Sequence, residues 1–283
     1  AAMRWLVENG IPAYNEPDTA VNAMAALREY ARNQNAAQSF VRYEDVDEAA
    51  ARAVITKVRS EGDRDLTEIE SKAIFEAYGL PVARTRLAAT EDEAVAKAAA
   101  VNGPVVLKIV SPDILHKSDA GGVKVNVEGE EAVRNHFREI IANAKAYKPD
   151  ADIHGIAVQE MAPWGTEVIL GSVNDATFGP TVMFGLGGIF VEILKDVTFR
   201  VAPVSPAQSF KMLSDINGAP ILEGARGEAP KDRKALAEVL SRYSQMIGDL
   251  GDEVLETDAN PVIVYDEGDG VSIVDARIIL KTT

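Results

Sequence analysis

The thirteen residues from Phe184 to Asp196 constrain this chain more than any other stretch. Phe184-Gly185-Leu186-Gly187-Gly188-Ile189-Phe190-Val191-Glu192-Ile193-Leu194-Lys195-Asp196 sets three glycines, two acids and a lysine between apolar runs. Glycines lack Cβ, so backbone N–H groups can come close to an anion there, and no ordinary core strand needs three of them. Taken alone, the stretch reads equally as a Gly-rich turn between strands. A second loop, His116-Lys117-Ser118-Asp119-Ala120-Gly121-Gly122, and a late pair, Asn260-Pro261 and Asp275, favour the functional reading.

Composition removes several classes of function. The chain has no cysteine, which excludes disulfides, thiolate metal sites and cysteine nucleophiles and fits a reducing cytoplasm. No apolar run approaches the ~20 residues of a membrane helix. The net charge of −15 repels polyphosphate backbones, so nucleic acid is not expected as a partner. A phosphate site must then be built locally, which singles out Lys108, Lys117 and Lys195. At 283 residues the chain is long enough for two compact units. No signal peptide is visible at Ala1-Ala2-Met3-Arg4-Trp5, which resembles the middle of a helix; the expectation is a fragment, a subunit or a processed product.

Along the chain, residues 1–34 read as helix, short strand (10–14) and helix, too little to close a core. Residues 35–62 are polar, with one amphipathic helix over 46–58, and read as a linker. Thr67-Glu68-Ile69-Glu70 is a capping box opening a helix that Gly79 stops. Strands are expected at 82–87, 105–110 and 122–127, and helices at 90–100 and 130–147. The alternation argues for α/β packing. Strand-like runs at 155–161, 166–171, 181–184 and 199–204 have no long helix between them and suggest a mainly antiparallel sheet. A helix over 232–250 carries Leu236, Val239, Leu240, Tyr243, Met246, Ile247 and Leu250 on one face. Strands at 261–265 and 271–274 close the chain.

Several residues can carry chemistry. Lys108 lies inside an apolar strand, and a buried ammonium needs a partner or a ligand; the other reading is an edge-strand lysine facing water. Loop 116–122 offers an imidazole, an ammonium, a hydroxyl, a carboxylate and two flexible glycines. A neutral imidazole nitrogen can attack a phosphoryl group, yet spacing alone leaves His116 a surface histidine, as His136 and His154 are read. Gln159-Glu160-Met161 ends an apolar strand and can face an adenine edge; Glu167 on the next strand can hold a ribose hydroxyl, although an acid at a strand end is more often solvated. An amide oxygen from Asn260 and a carboxylate from Asp275 suit Mg²⁺ if brought together; alone, Asn260 reads as a turn residue before proline. Arg200 and Arg277 read as salt-bridge partners before phosphate contacts.

From Leu66 to Leu280 the chain resembles the ATP-grasp domain of NDP-forming acyl-CoA synthetases, relatives of succinyl-CoA synthetase. The motifs occur in order: Leu107-Lys108-Ile109, the loop from His116 to Val123, Gln159-Glu160-Met161, Gly185-Leu186-Gly187-Gly188, Glu192-Ile193-Leu194-Lys195-Asp196 and Asn260-Pro261. The resemblance implies an α+β, ATP-grasp fold of two lobes. It divides the chain into the tail of a flavodoxin-like CoA-ligase domain (1–34), a linker (35–62) and the ATP-grasp domain (63–281), with lobes at 63–157 and 158–281.

It also implies an ADP-forming acyl-CoA synthetase, an acid–thiol ligase working through an acyl phosphate and phosphohistidine. ATP or ADP would bind Lys108, Gln159, Glu160, Met161, Glu167, Gly185, Gly187, Gly188 and Lys195, with Asn260 and Asp275 on Mg²⁺. His116 becomes a second phosphoryl carrier, with Lys117, Asp119 and Glu192 beside it, which reverses the reading from spacing. CoA would bind mainly on a partner domain or subunit carrying the principal phosphohistidine. The other substrate would be a small carboxylic acid, the assembly a homo- or hetero-oligomer, and the location cytoplasmic. A carboxylate–amine ligase of the same fold needs no phosphohistidine carrier. A nucleotide-sensing module fused to a protein acetyltransferase is the reading from a different class.

Overall fold

A computed structural model of the chain describes residues 2–36, 40–114, 116–188 and 195–282. It divides into two units, residues 1–41 and 42–283. The first holds helices α1 (Ala2–Glu8) and α2 (Pro17–Ala36). The strand expected at 10–14 is not formed; those residues have no neighbouring strand to pair with. No side chain described in this unit is buried.

The second unit opens with α3 (Glu48–Glu61), capped by Asp47 and closed by Gly62 in the left-handed region at φ 89°. Residues 35–62, expected to be a linker, therefore contribute to a core: Ala51, Ile55 and Val58 are buried in it. Helix α4 (Glu68–Ala77) begins at the expected capping box on Thr67 and Glu70. A four-stranded sheet follows, in the order β1 (Thr85–Ala88), β4 (Gly155–Glu160), β2 (Val105–Val110) and β3 (Val123–Val127), all antiparallel. Its core side packs on α5 (Glu91–Ala99) and α6 (Glu130–Tyr147) through Leu107, Ile109, Ile114, Val133 and Ile140. In β2 the alternate residues Val106 and Lys108 face away from that core.

The larger sheet runs β10 (Ala276–Leu280), β8 (Val254–Val264), β5 (Thr166–Asp175), β6 (Gly179–Leu186) and β7 (Val197–Val201), with β9 (Val271–Ile273) paired to β8. Every pairing is antiparallel, as the run of strands without long helices implied. Strand β8 starts seven residues before the expected position at 261, which lets it pair with both β5 and β10. Helices α7 (Pro206–Asp215) and α9 (Arg233–Asp249), with the turn α8 (Ala219–Leu222) between them, cover one face together with α3 and α4. Phe75 and Tyr243 meet edge-on there at 5.8 Å. Because β4 belongs to the smaller sheet, the change of sheet falls after Glu160 rather than at 157. Among the described residues, no helix is long and apolar enough to cross a membrane.

Candidate active site

A cleft of about 750 Å³ opens between β2, loop 116–122 and the β8–β10 edge. Its lining includes Glu68, Lys108, His116, Lys117, Asp119, Gln159, Asp258, Asn260, Asp275 and Arg277. Residues far apart in sequence are thus brought to one wall-to-wall space.

Lys108 is 6% exposed. Its ammonium donates to Glu68 Oε1 at 2.8 Å and to Asp275 Oδ2 at 3.3 Å. Burial works against the ammonium, but the charges of Glu68 and Asp275 outweigh it and hold it above the ordinary lysine range. Lys117 donates to Glu68 Oε2 at 2.6 Å and stands 3.8 Å from Asp275 Oδ2. A third lysine, Lys72, donates to Glu68 Oε1 (2.9 Å), Thr85 Oγ1 (2.8 Å) and Gln159 Oε1 (3.0 Å). Burial favours a neutral Glu68, yet Lys108, Lys72 and Lys117 keep its carboxyl well below the usual range. Three ammonium groups converge on Glu68, so cations are concentrated at this point of a chain of net charge −15. An anion entering here meets a favourable field in a poorly solvated place.

Sequence reasoning placed Glu68 only in a capping box. Its spacing of four from Lys72 on the inward face of α4 was the available signal. Asp258 was also missed. Burial and the neighbouring Asp275 push its carboxyl up to about 6, with Arg277 opposing. The backbone N–H of Asn260 donates to the Asp275 carbonyl at 3.3 Å, so the two expected metal ligands are neighbours. Hard oxygen donors from Asn260, Asp275 and Asp258 fit Mg²⁺.

The loop carrying His116 turns on itself. The amide of Gly122 donates to the Lys117 carbonyl at 2.7 Å, and Ile109 N–H in β2 donates to the Gly122 carbonyl at 2.8 Å. A Cβ at Gly122 would stand 2.6 Å from Ile109 Cγ2 and 2.9 Å from the Lys117 carbonyl, so glycine is required. His116 and Asp119 are exposed toward the cleft opening.

The remaining expected residues lie elsewhere. Gly187 packs against Glu167, whose carbonyl accepts its N–H at 2.8 Å; a Cβ there would come within 2.9 Å of Glu167 Cβ. Glu160 and Met161 end β4, beside Gln159, and the Glu160 charge acts on the Tyr265 hydroxyl. Gln159 lines the cleft around Lys108, but Gly187, Glu167, Glu160 and Met161 do not, nor do Gly185, Gly188 or Lys195. Gly185 is inside β6, and Gly188 and Lys195 are exposed with positive φ. Glu192 lies outside the described residues. Asp196 is structural: it accepts from the backbone N–H of Asn217 (2.8 Å) and Gly218 (2.7 Å) ahead of α8. Arg200 pairs with Asp215, and Arg277 with Asp65 at 3.3 Å. His136 and His154 pair with Glu139 and Asp152 at the surface. Among the described residues, no group of three or more His, Asp or Glu forms a ready metal cluster.

Residues 57–280 match the family described as ATP-grasp domain. The beta subunit of acetate–CoA ligase (ADP-forming) I from Pyrococcus furiosus is 49% identical over 232 residues, 82% of this chain and 98% of that protein. Acetate–CoA ligase (ADP-forming) I from Archaeoglobus fulgidus is 42% identical over 281 residues, 98% of this chain but 40% of that longer protein. Among solved structures, the dinucleotide-forming acetyl-coenzyme A synthetase 1 of Ca. Korarchaeum cryptofilum, in complex with coenzyme A, Ca-AMPCP and HgCl⁺, superimposes with a TM-score of 0.78 at 48% identity. That match covers 82% of this chain and all (100%) of the other. The chain belongs to the ATP-grasp family that includes the beta subunits of ADP-forming acetate–CoA ligases.

Proposed function

We propose that this chain is the nucleotide-binding, phosphoryl-transferring part of an ADP-forming acyl-CoA synthetase. The observation that carries the reading is the gathering of Lys108, Lys117, His116, Asn260 and Asp275 around one cleft, with both lysines held on the buried Glu68. In the direction of acyl-CoA formation, a neutral ring nitrogen of His116 attacks the γ-phosphorus of ATP. The bond to the β–γ bridging oxygen breaks, and ADP leaves with its electron pair. The phosphohistidine passes its phosphoryl on to the partner's principal histidine, then to the carboxylate; CoA displaces phosphate from the acyl phosphate. Lys108 and Lys117 offset charge on the transferring group, and positioning supplies most of the remaining catalysis. Asp119 stands on the same loop as the carrier.

Asn260 and Asp275 would hold Mg²⁺, which would supply charge neutralisation at the nucleotide phosphates. Glu160 and Met161 would take the adenine edge, with Gln159 beside them, and Glu167 a ribose hydroxyl. Gly185, Gly187 and Gly188, with Glu192 and Lys195 further along the chain, would serve the phosphates. ATP is favoured over GTP.

Residues 1–34 would be the tail of an upstream CoA-ligase-like domain and 63–281 the ATP-grasp domain. The longer Archaeoglobus relative aligns with 98% of the chain whereas the separate Pyrococcus subunit aligns with 82%, which supports that division. The partner would be the CoA-binding domain or subunit, in an oligomeric cytoplasmic enzyme. The carboxylic acid would be chosen mainly in that partner. A regulatory nucleotide-sensing module has no use for a histidine loop beside the phosphate lysines, and the presence of that loop favours the synthetase.

The test is incubation of the chain and its CoA-ligase partner with ATP labelled at the γ-phosphate. Acid-labile, base-stable label that is absent from His116→Ala is expected. Tight nucleotide binding with no label, partner present, would sink the reading in favour of the regulatory module.

A further inference from the structure

The capping box of α4 divides its two acids between different tasks. Glu70 caps: it accepts from Thr67 N–H at 3.0 Å, and its own N–H donates to Thr67 Oγ1 at 3.3 Å. Glu68 turns inward, 5% exposed, and accepts from lysines of three separate segments. Lys72 belongs to α4, Lys108 to β2, and Lys117 to the histidine loop. Helix α4 itself packs in the core of the larger sheet through Ile74 and Phe75. One carboxylate therefore ties that core to the smaller sheet and to the loop. We propose that Glu68 is a positioning residue for phosphoryl transfer, holding Lys108 at the nucleotide phosphates through one oxygen and docking the His116 loop over the same cleft through the other. The proposal rests on the function given above.

The tie matters because of what else holds the loop. Its Gly122 end is stitched to Ile109, and Asn143 Nδ2 donates to the Gly121 carbonyl at 3.2 Å. The bonds of Ala120, Gly121 and Gly122 to the carbonyls of His116, Ser118 and Lys117 are internal to the loop. Nearer His116, among the described residues, the side-chain tie to the body of the protein is Lys117 on Glu68, with Asp275 more distant. Because Lys108 and Lys117 share one carboxylate, their environments are linked. A phosphate that draws Lys108 away from Glu68 leaves the carboxylate charge to Lys72 and Lys117 and strengthens the docking. Nucleotide binding and loop docking then reinforce each other, and reciprocally.

Hydrogen exchange at the amides of Ala120, Gly121 and Gly122 reads this coupling directly, in the full chain, with ADP as the probe. In the parent, ADP is expected to slow exchange about tenfold. In Glu68→Gln that slowing is lost and ADP binds about tenfold more weakly, as fits the loss of a charged hydrogen bond. Lys117→Met removes the loop arm while leaving Lys108 on Glu68, at a partly exposed side chain, and should also abolish the slowing; it carries the test if Glu68→Gln does not fold. Unchanged ADP-dependent protection in either variant overturns the proposal, as does tighter ADP binding in Glu68→Gln, which would make the carboxylate a mere competitor of phosphate. If the parent forms the His116 label while exchange is uncoupled, the role of Glu68 falls and the synthetase reading stands. If no label forms, exchange still reports on Glu68 alone.

Discussion

On one wall of the cleft, Lys108 and Lys117 reach the buried carboxylate of Glu68; on the other, Asp258 lies beside Asp275, which Lys108 also reaches, and Arg277 offsets the Asp258 charge. The lysine wall is prepared in advance. Each ammonium has an oxygen partner at hydrogen-bond distance before any anion arrives. The carboxylate wall carries like-charge repulsion in a half-buried place, which raises the affinity of Asp258 for a proton and would do the same for a divalent cation. The contrast is one of arrangement: the lysines are held in place by the fold, while two acids of β8 and the β9–β10 connection lie close together on the facing side.

The largest expected effect on this contrast is at Lys108. Lys108→Ala should weaken ATP binding about a hundredfold, because a charged, poorly solvated contact is lost; unchanged affinity by calorimetry would remove the lysine wall from the nucleotide site. Asp275→Asn should come next, raising the Mg²⁺ concentration for half-maximal turnover about tenfold. An unaltered metal titration would separate the carboxylate wall from metal binding.

The smallest effect is on stability. The folded state raises Asp258 to about 6 from an ordinary aspartate value of 3.8. Its contribution to stability is therefore fully present below the unfolded value and is lost as pH rises through about 6. Asp258→Asn should raise the melting temperature at pH 7, by roughly 1 kcal/mol of stability, and leave it nearly unchanged near pH 4. Equal shifts at both pH values would mean that burial and the neighbouring Asp275 do not raise this carboxyl.

Much of the smaller sheet could be read directly. Strand β2 coincides with its expected limits because a Gly-Pro turn starts it and an apolar run interrupted by Lys108 fills it; α6 does so because its apolar residues keep helical spacing between Gly129 and Lys148. Helix α3 was legible as a helix but not as core, since its inward face is only Ala51, Ile55 and Val58 amid charged neighbours. In the site, Lys108 stood out as a cation in an apolar strand. Glu68 did not, because nothing local distinguishes it from Glu70; only the fold decides which acid of a capping box turns inward. Asp258 was hidden by the same cause, an acid in an alternating strand whose inner neighbour, Asp275, arrives from another hairpin.

The histidine loop has a consequence for how far its imidazole can travel. Ile114 is 2% exposed in the core of the smaller sheet, only two positions before His116. A fully extended backbone covers at most about 3.5 Å per residue, so the His116 Cα stays within about 7 Å of that anchor. A longer stroke requires pulling Ile114 out of its packing, at a cost of about 2 kcal/mol or more in lost burial. Long-range delivery of a phosphoryl group would then be a small unfolding event at one edge of the domain, with its frequency set by how firmly a single isoleucine is seated.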